Sequence, residues 1–278
     1  MTRERIERYV EAGRANSVTA IAITEHLFRF REAFDLLSGW WDRDPDPTLA
    51  RLTHEYWRDH VSGTMAEYVR VVEEAKSFGL PVLLGIEMDW VPDRTDDLHK
   101  LLAPYDWDVV LGSVHWIGSW GFDQIERAEQ RAEWERRDTD TVFDDYAALL
   151  RDLAASGLCD VLAHPDLPKI FGHRPSSFTP LHYAIVESAR SAPCAIEINS
   201  NGYNKPAAEP YPALPVLERA CEAGLAITLA SDAHQPERVG ARFDDLAALA
   251  GRAGYQEFVS FERRTPIAHA LPMAKGVR

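Results

Sequence analysis

A three-part unit recurs along this chain: an amphipathic helix, a glycine, then a short apolar run. Residues 65–79 (MAEYVRVVEEAKSFG) lead into 80–87 (LPVLLGIE), 146–157 (YAALLRDLAASG) into 158–164 (LCDVLAH), and 214–224 (LPVLERACEAG) into 225–231 (LAITLAS). Gly79, Gly157 and Gly224 stand where a helix commonly ends on a left-handed residue. Further apolar runs lie at 18–24 (VTAIAIT), 108–114 (DVVLGSV), 194–198 (CAIEI) and 257–261 (EFVSF). Apolar strands alternating with helices predict a parallel sheet covered on both faces. An open doubly wound sheet and a closed barrel both satisfy this. No glycine-rich dinucleotide loop and no P-loop follows a strand, so the barrel is favoured.

The length of 278 residues suits one such α/β barrel, and we read residues 1–278 as a single domain with its own core. Acidic residues outnumber basic ones 44 to 30, a net charge of −14, which disfavours nucleic acid and anionic membrane as partners. No apolar run reaches the roughly 18 residues of a membrane span, and no secretory signal opens the chain. Cys159, Cys194 and Cys221 show no CxxC spacing and read as reduced thiols of a cytoplasmic protein.

What ends the apolar runs is more informative than the runs themselves. In order they finish in Thr24-Glu25-His26, Gly85-Ile86-Glu87, Ser113-Val114-His115, Ala163-His164-Pro165-Asp166, Glu197-Ile198-Asn199 and Ser231-Asp232-Ala233-His234. Strands of a βα barrel all point their carboxyl ends at one mouth. Four imidazoles (His26, His115, His164, His234) and two carboxylates (Glu87, Asp232) therefore converge. A divalent metal relieves both the carboxylate repulsion and the unsatisfied imidazoles. Mixed nitrogen and oxygen donors suit zinc, manganese or iron(II). Six donors exceed what one catalytic ion keeps, so at least two ions are implied, with Glu87 offering one oxygen to each. His54, His60, His99, His173, His182 and His269 are expected at the surface, with His173 nearest the mouth. Glu25 and Asp89 are expected to point away from it.

The endings TEH, GIE, SVHW, AHPD, EIN and SDAH, in this order, resemble the PHP (polymerase and histidinol phosphatase) family. Residues 197–212 (EINSNGYNKPAAEPYP) are similar to its histidinol-phosphate phosphatase branch. The resemblance implies a distorted (β/α)7-type barrel holding two or three metals (zinc, manganese or iron). It implies Glu87 bridging two ions, His115 and His164 on one, Asp232 on the other, and His26 with His234 on a third. Glu87, Asp232 and His234 become the expected catalytic group. The implied reaction is hydrolysis of a phosphate monoester, histidinol phosphate first among candidates, by a metal-bound hydroxide attacking phosphorus in line. That would belong to histidine biosynthesis. A nucleotide or another small phosphate ester is the alternative substrate. Amidohydrolases also place His and Asp at strand ends, but the Glu87 position together with Asp232-x-His234 favours the phosphatase.

Two features depart from the family pattern. The family opens on a strand ending His-x-His, whereas this chain opens on helical residues 2–15 (TRERIERYVEAGRA). The expectation is a barrel without its first strand, and a weakly active or inactive remnant is the second alternative. Branch members often carry Arg where Asn204 stands. Lys205, Lys169, Arg174, Asn199 and Asn204 are the candidates for substrate binding. Residues 31–64, with Trp40, Trp41 and Trp57, form an insertion expected over the mouth, as a candidate lid or as packing.

Overall fold

The structure is a computed structural model that describes residues 1–124 and 127–272. Helix α1 (Arg3–Ala15) precedes β1 (Ile21–His26), and α2 (Arg31–Leu37), α3 (Pro47–His60) and α4 (Met65–Ser77) follow before β2 (Val82–Asp89). After α5 (Thr95–Leu102) and β3 (Val109–Ser113) comes a hairpin of β4 (Trp116–Ile117) and β5 (Trp120–Gly121). Next are α6 (Ala128–Ala132), α7 (Thr139–Ala155), β6 (Val161–Leu162), α8 (Thr179–Ser191) and β7 (Ala195–Asn199). The chain closes through α9 (Leu214–Glu222), β8 (Ile227–Ala230), α10 (Phe243–Arg252), β9 (Glu257–Glu262) and β10 (Thr265–Ala270).

Local sequence accounts for several of these boundaries. Thr64 and Glu67 form a reciprocal capping box at the start of α4, and Asp46 caps α3 ahead of Pro47. Gly79, Gly157 and Gly224 take φ of 80°, 68° and 70° after their helices, as the helix–glycine–strand unit requires. Strand β2 is buried on both faces along nearly its whole length, which explains its continuous apolar run.

Six strands form one sheet in the order β1-β2-β3-β6-β7-β8, every pair parallel, so all carboxyl ends face the same way. The sheet curls into a half-barrel. Its edge strands are β1 and β8, yet the His26 and His234 rings at their ends stand 6.1 Å apart. Leu84, Ile86, Val110, Ile196 and Ile198, on the face of their strands opposite Glu87 and Glu197, pack in one core with Val72 and Ala75 of α4 and Ile6 and Val10 of α1. The run at 257–261 is not a strand of this sheet: β9 pairs antiparallel with β10. Val259 and Phe261 instead pack on Val109, Val161 and Ala195, at the amino ends of their strands. Arg264 ties this floor down through Asp160 and the Leu158 carbonyl.

The insertion is held by its aromatic residues. Trp57 is fully buried, with Trp40, Trp41 and Trp116 at ring distances of 5.7 to 5.9 Å. Among the described residues no helix is long and apolar enough to cross a membrane.

Candidate metal centre

Parallel pairing puts His26 of β1 directly beside Glu87 of β2, and the adjacent β3 delivers His115 just past its end. His26, Glu87 and His115 each offer a ligand atom within 4.8 Å of the others. Glu87 sits between three imidazoles. Its Oε1 lies 3.1 Å from His164 Nε2 and 3.4 Å from His115 Nε2, and its Oε2 lies 3.5 Å from His26 Nδ1. The two oxygens thus face different imidazoles. Asp232 and His234 close the ring from the other side of the mouth, His234 Nδ1 lying 3.5 Å from Asp232 Oδ1. Both Asp232 and His164 adopt positive φ (48° and 29°), backbone strain of the kind that concentrates at functional sites.

The donor set fits a divalent cation. Buried imidazole nitrogens His26 Nδ1 and His164 Nδ1 make no hydrogen bond, and the cluster mixes nitrogen and carboxylate oxygen donors without sulfur. Its electrostatics show the same need. Burial opposes ionisation of Glu87, yet His26, His164 and His115 hold its carboxyl well below the usual range. Burial likewise opposes protonation of His26, but Glu87 and Asp89 raise it to about 10; His164 rises to about 9, chiefly through Glu87. Without metal, the cluster keeps protons where a metal would otherwise supply positive charge.

A supporting layer holds these donors. Asp89 is fully buried and accepts a hydrogen bond from His115 Nδ1 at 2.7 Å, while its second oxygen accepts from the Phe28 amide. That corrects the expectation that Asp89 points away: two residues beyond Glu87 on one strand, it shares Glu87's face. Glu25 does turn aside, toward Arg29. Glu197 accepts from the His164 amide at 2.8 Å and from Asn199 Nδ2 at 3.0 Å, and burial pushes its carboxyl up to about 7.

The cluster opens onto a cleft of about 160 Å³. Phe28, Tyr56 and Trp116 line one wall, and Lys205 with Asn201 another; Asn201 Nδ2 donates to Asp232. Of the five residues expected to bind substrate, only Lys205 lines this cleft. Lys169 is fully buried, its ammonium held by Asp166 and the Pro210 carbonyl. Arg174 pairs with Glu209, and Asn204 accepts from Arg238. Asn199 is buried, bonded to Glu197 and the Asn201 amide. Short loops after a strand can fold back into the protein as easily as toward a mouth, and charge alone does not tell which. Nor are all remaining histidines at the surface. His182 is buried in α8, and His173 stacks on Trp134 at 4.3 Å.

The family model for the PHP domain matches residues 2–201. The chain belongs to the PHP family. Its sequence is also 42% identical, over 238 residues, to a protein of Deinococcus radiodurans named "Probable histidinol-phosphatase", covering 85% of this chain and 83% of that one. A Schizosaccharomyces pombe protein of the same name is 26% identical over 213 residues, 72% of this chain and 70% of its own length. Among solved structures, histidinol phosphate phosphatase from Lactococcus lactis, complexed with zinc, L-histidinol and phosphate, superposes with a TM-score of 0.67. It is 17% identical and covers 94% of this chain and 92% of its own. At that identity the likeness concerns the fold, and it agrees with a distorted PHP half-barrel.

Two site residues of this PHP chain escape a reading of its strand ends. Asp89 was detectable, since its i+2 spacing from Glu87 is a β-strand signal. Asp123, a half-buried carboxyl in the cleft wall, follows the β4–β5 hairpin and carries no sequence signal of its own.

Proposed function

We propose that this chain is a metal-dependent phosphomonoester hydrolase acting on L-histidinol phosphate, releasing L-histidinol and phosphate. The observation that carries this reading is Glu87 lying within 3.1 to 3.5 Å of three imidazoles at the mouth of a PHP half-barrel. The 42% identity to a protein named histidinol-phosphatase supports the substrate. In this reading His26, Glu87, His115, His164, Asp232 and His234 hold two or three divalent ions, zinc, manganese or iron. Metal ions in such a site lower the pKa of water and stabilise charge on attacking and leaving oxygens. The side chains supply the geometry. Glu87 presents an oxygen to each side of the cluster, Asp89 orients His115, and Glu197 anchors the His164 backbone. Lys205 and Asn201 offer donors to phosphate oxygens, and Phe28, Tyr56 and Trp116 exclude water from the opposite wall. Residues 1–278 act as one domain, and the insertion at 31–64 is a wall of the cleft. A small, cytoplasmic substrate fits the cleft and the net charge of −14 better than nucleic acid or membrane does.

The test is phosphate release from L-histidinol phosphate, a mononucleotide and p-nitrophenyl phosphate, with metal content measured on the same preparation. Two or three ions per chain and preference for histidinol phosphate are expected. Preference for the nucleotide would overturn the substrate assignment. Well under one ion per chain, with no hydrolysis, would overturn the enzyme reading.

A further inference from the structure

At the amino ends of the sheet, opposite the mouth, two buried thiols meet. Cys159 stands just ahead of β6 and Cys194 just ahead of β7. Their sulfurs are 3.7 Å apart, and the Cys194 thiol also donates to the Cys159 carbonyl at 3.3 Å. Val161 pairs with Ala195, so one residue back Asp160 lies beside Cys194, with Cys159 on the diagonal. Strands about 4.8 Å apart with a rise of about 3.3 Å per residue make that diagonal about 6 Å between Cα atoms. A disulfide bridges Cα atoms roughly 4.4 to 6.8 Å apart.

The frame around the sulfurs is fixed. The Asp160 amide donates to the Val110 carbonyl, its carbonyl accepts from the Ala195 amide, and its carboxylate accepts from the Val110 amide and from Arg264. Gly112 of β3 leaves the space that Cys159 fills, since a Cβ there would stand 2.9 Å from the Cys159 Sγ. The Cys159 sulfur is thus backed against β3 and faces Cys194. Cys194 follows the exposed Pro193, and Arg264, bonded to the Leu158 carbonyl, brings a partly exposed guanidinium to the same corner. The hydrogen bond with Cys159 lowers the Cys194 thiol from its ordinary range, against its burial, and Arg264 lowers it further. Contact with Cys194 and burial push the Cys159 thiol well up. Cys194 is therefore the easier thiolate, the form that attacks an oxidant.

We propose that Cys159 and Cys194 form a reversible oxidation site, closed to a disulfide by hydrogen peroxide and reopened by small thiols. The Cys194 thiolate attacks peroxide; the O–O bond breaks, the sulfur becomes a sulfenic acid, and one water departs. Cys159 then attacks that sulfur. The S–S bond forms, the S–O bond breaks, and the hydroxyl leaves with the Cys159 proton as a second water. Two small thiols reverse the step by exchange, leaving as their own disulfide. The link spans 35 positions of sequence, encloses α8 and staples the amino ends of β6 and β7. It acts on stability, because the metal donors stand at the opposite ends of the strands.

The experiment treats the full folded chain with hydrogen peroxide, counts thiols after unfolding, and maps peptides without reductant. Cys221, in α9, is the internal control. The three free thiols should fall to one, with a cross-link between residues 159 and 194, and dithiothreitol should restore all three. The oxidised chain should melt roughly 5 to 10 °C above the reduced one. Cys159→Ser and Cys194→Ser should each abolish the link and the shift, whereas Cys221→Ser should keep both. Three thiols surviving a peroxide excess that fully oxidises free cysteine would overturn the proposal. So would oxygen added to either sulfur without the link, or a link through Cys221. An oxidised chain that melts no higher would refute the staple, and these wild-type readings decide even where a serine variant folds poorly.

Discussion

Replacing Asp89 by Asn changes no volume and removes one lone-pair-bearing oxygen from a fully buried position. Its carboxylate accepts two bonds, from His115 Nδ1 at 2.7 Å and from the Phe28 amide at 3.3 Å. Asparagine has one acceptor, so one of those donors must face an NH₂ group. If the amide oxygen stays with Phe28, the NH₂ turns to His115. The imidazole then has to accept at Nδ1 and carry its proton on Nε2, the nitrogen facing Glu87 and the metal site. If the oxygen stays with His115, a buried N–H of Phe28 meets the NH₂ group instead. Removing such an orienting partner typically costs 10- to 100-fold in metal affinity, which at about 1.4 kcal/mol per decade is about 1.4 to 2.8 kcal/mol. The assay is zinc affinity by chelator competition, with melting in EDTA to separate stability from binding. Zinc affinity within about two-fold of wild type, with a folded protein, would refute the claim that Asp89 sets the His115 tautomer.

Other consequences follow from the same geometry. Glu87→Gln should abolish turnover and lower metal content while the fold persists, because it removes the charge between His26, His115 and His164; unaltered metal content and turnover would exclude Glu87 from the site. In EDTA the protein should lose stability as pH rises from about 6.5 toward 10. His26 and His164 titrate near 10 and 9 in the folded chain against 6.5 when free, so the folded state binds the extra protons in that window, and their stabilising contribution disappears on deprotonation. Melting temperatures that stay level across that range would contradict it, and zinc should reverse the trend because metal needs neutral imidazoles. Lys169→Met should lower stability by about 3 to 5 kcal/mol by stranding buried Asp166, an effect read from urea unfolding. Activity lost without any change in unfolding would instead restore Lys169 to substrate binding.

The parts of this protein legible in one dimension are those where local pattern and chemistry coincide. Apolar runs after glycine-ended helices are parallel strands because only burial on both faces tolerates such runs, and β1, β2, β3, β7 and β8 fall on them. Strand β6 is shorter than its run, two residues against seven, because the backbone leaves the ladder to turn His164 inward. The His, Glu and Asp at strand ends meet because parallel strands share a direction, a property independent of how far the sheet curls. Side chains beyond the strands obey no such rule. Whether Lys169 reached phosphate or an internal aspartate was settled by how its loop packs against the Glu209–Tyr211 segment. The floor strand at 257–261 looked like its neighbours because apolar alternation carries no information about strand direction. Asp123 lines the cleft just after a hairpin that the insertion holds through Thr53 and Trp41 on Ser119. Contacts between residues 53 and 119, or 41 and 119, are free-energy choices among many loop arrangements, and they are made only when the core closes around them.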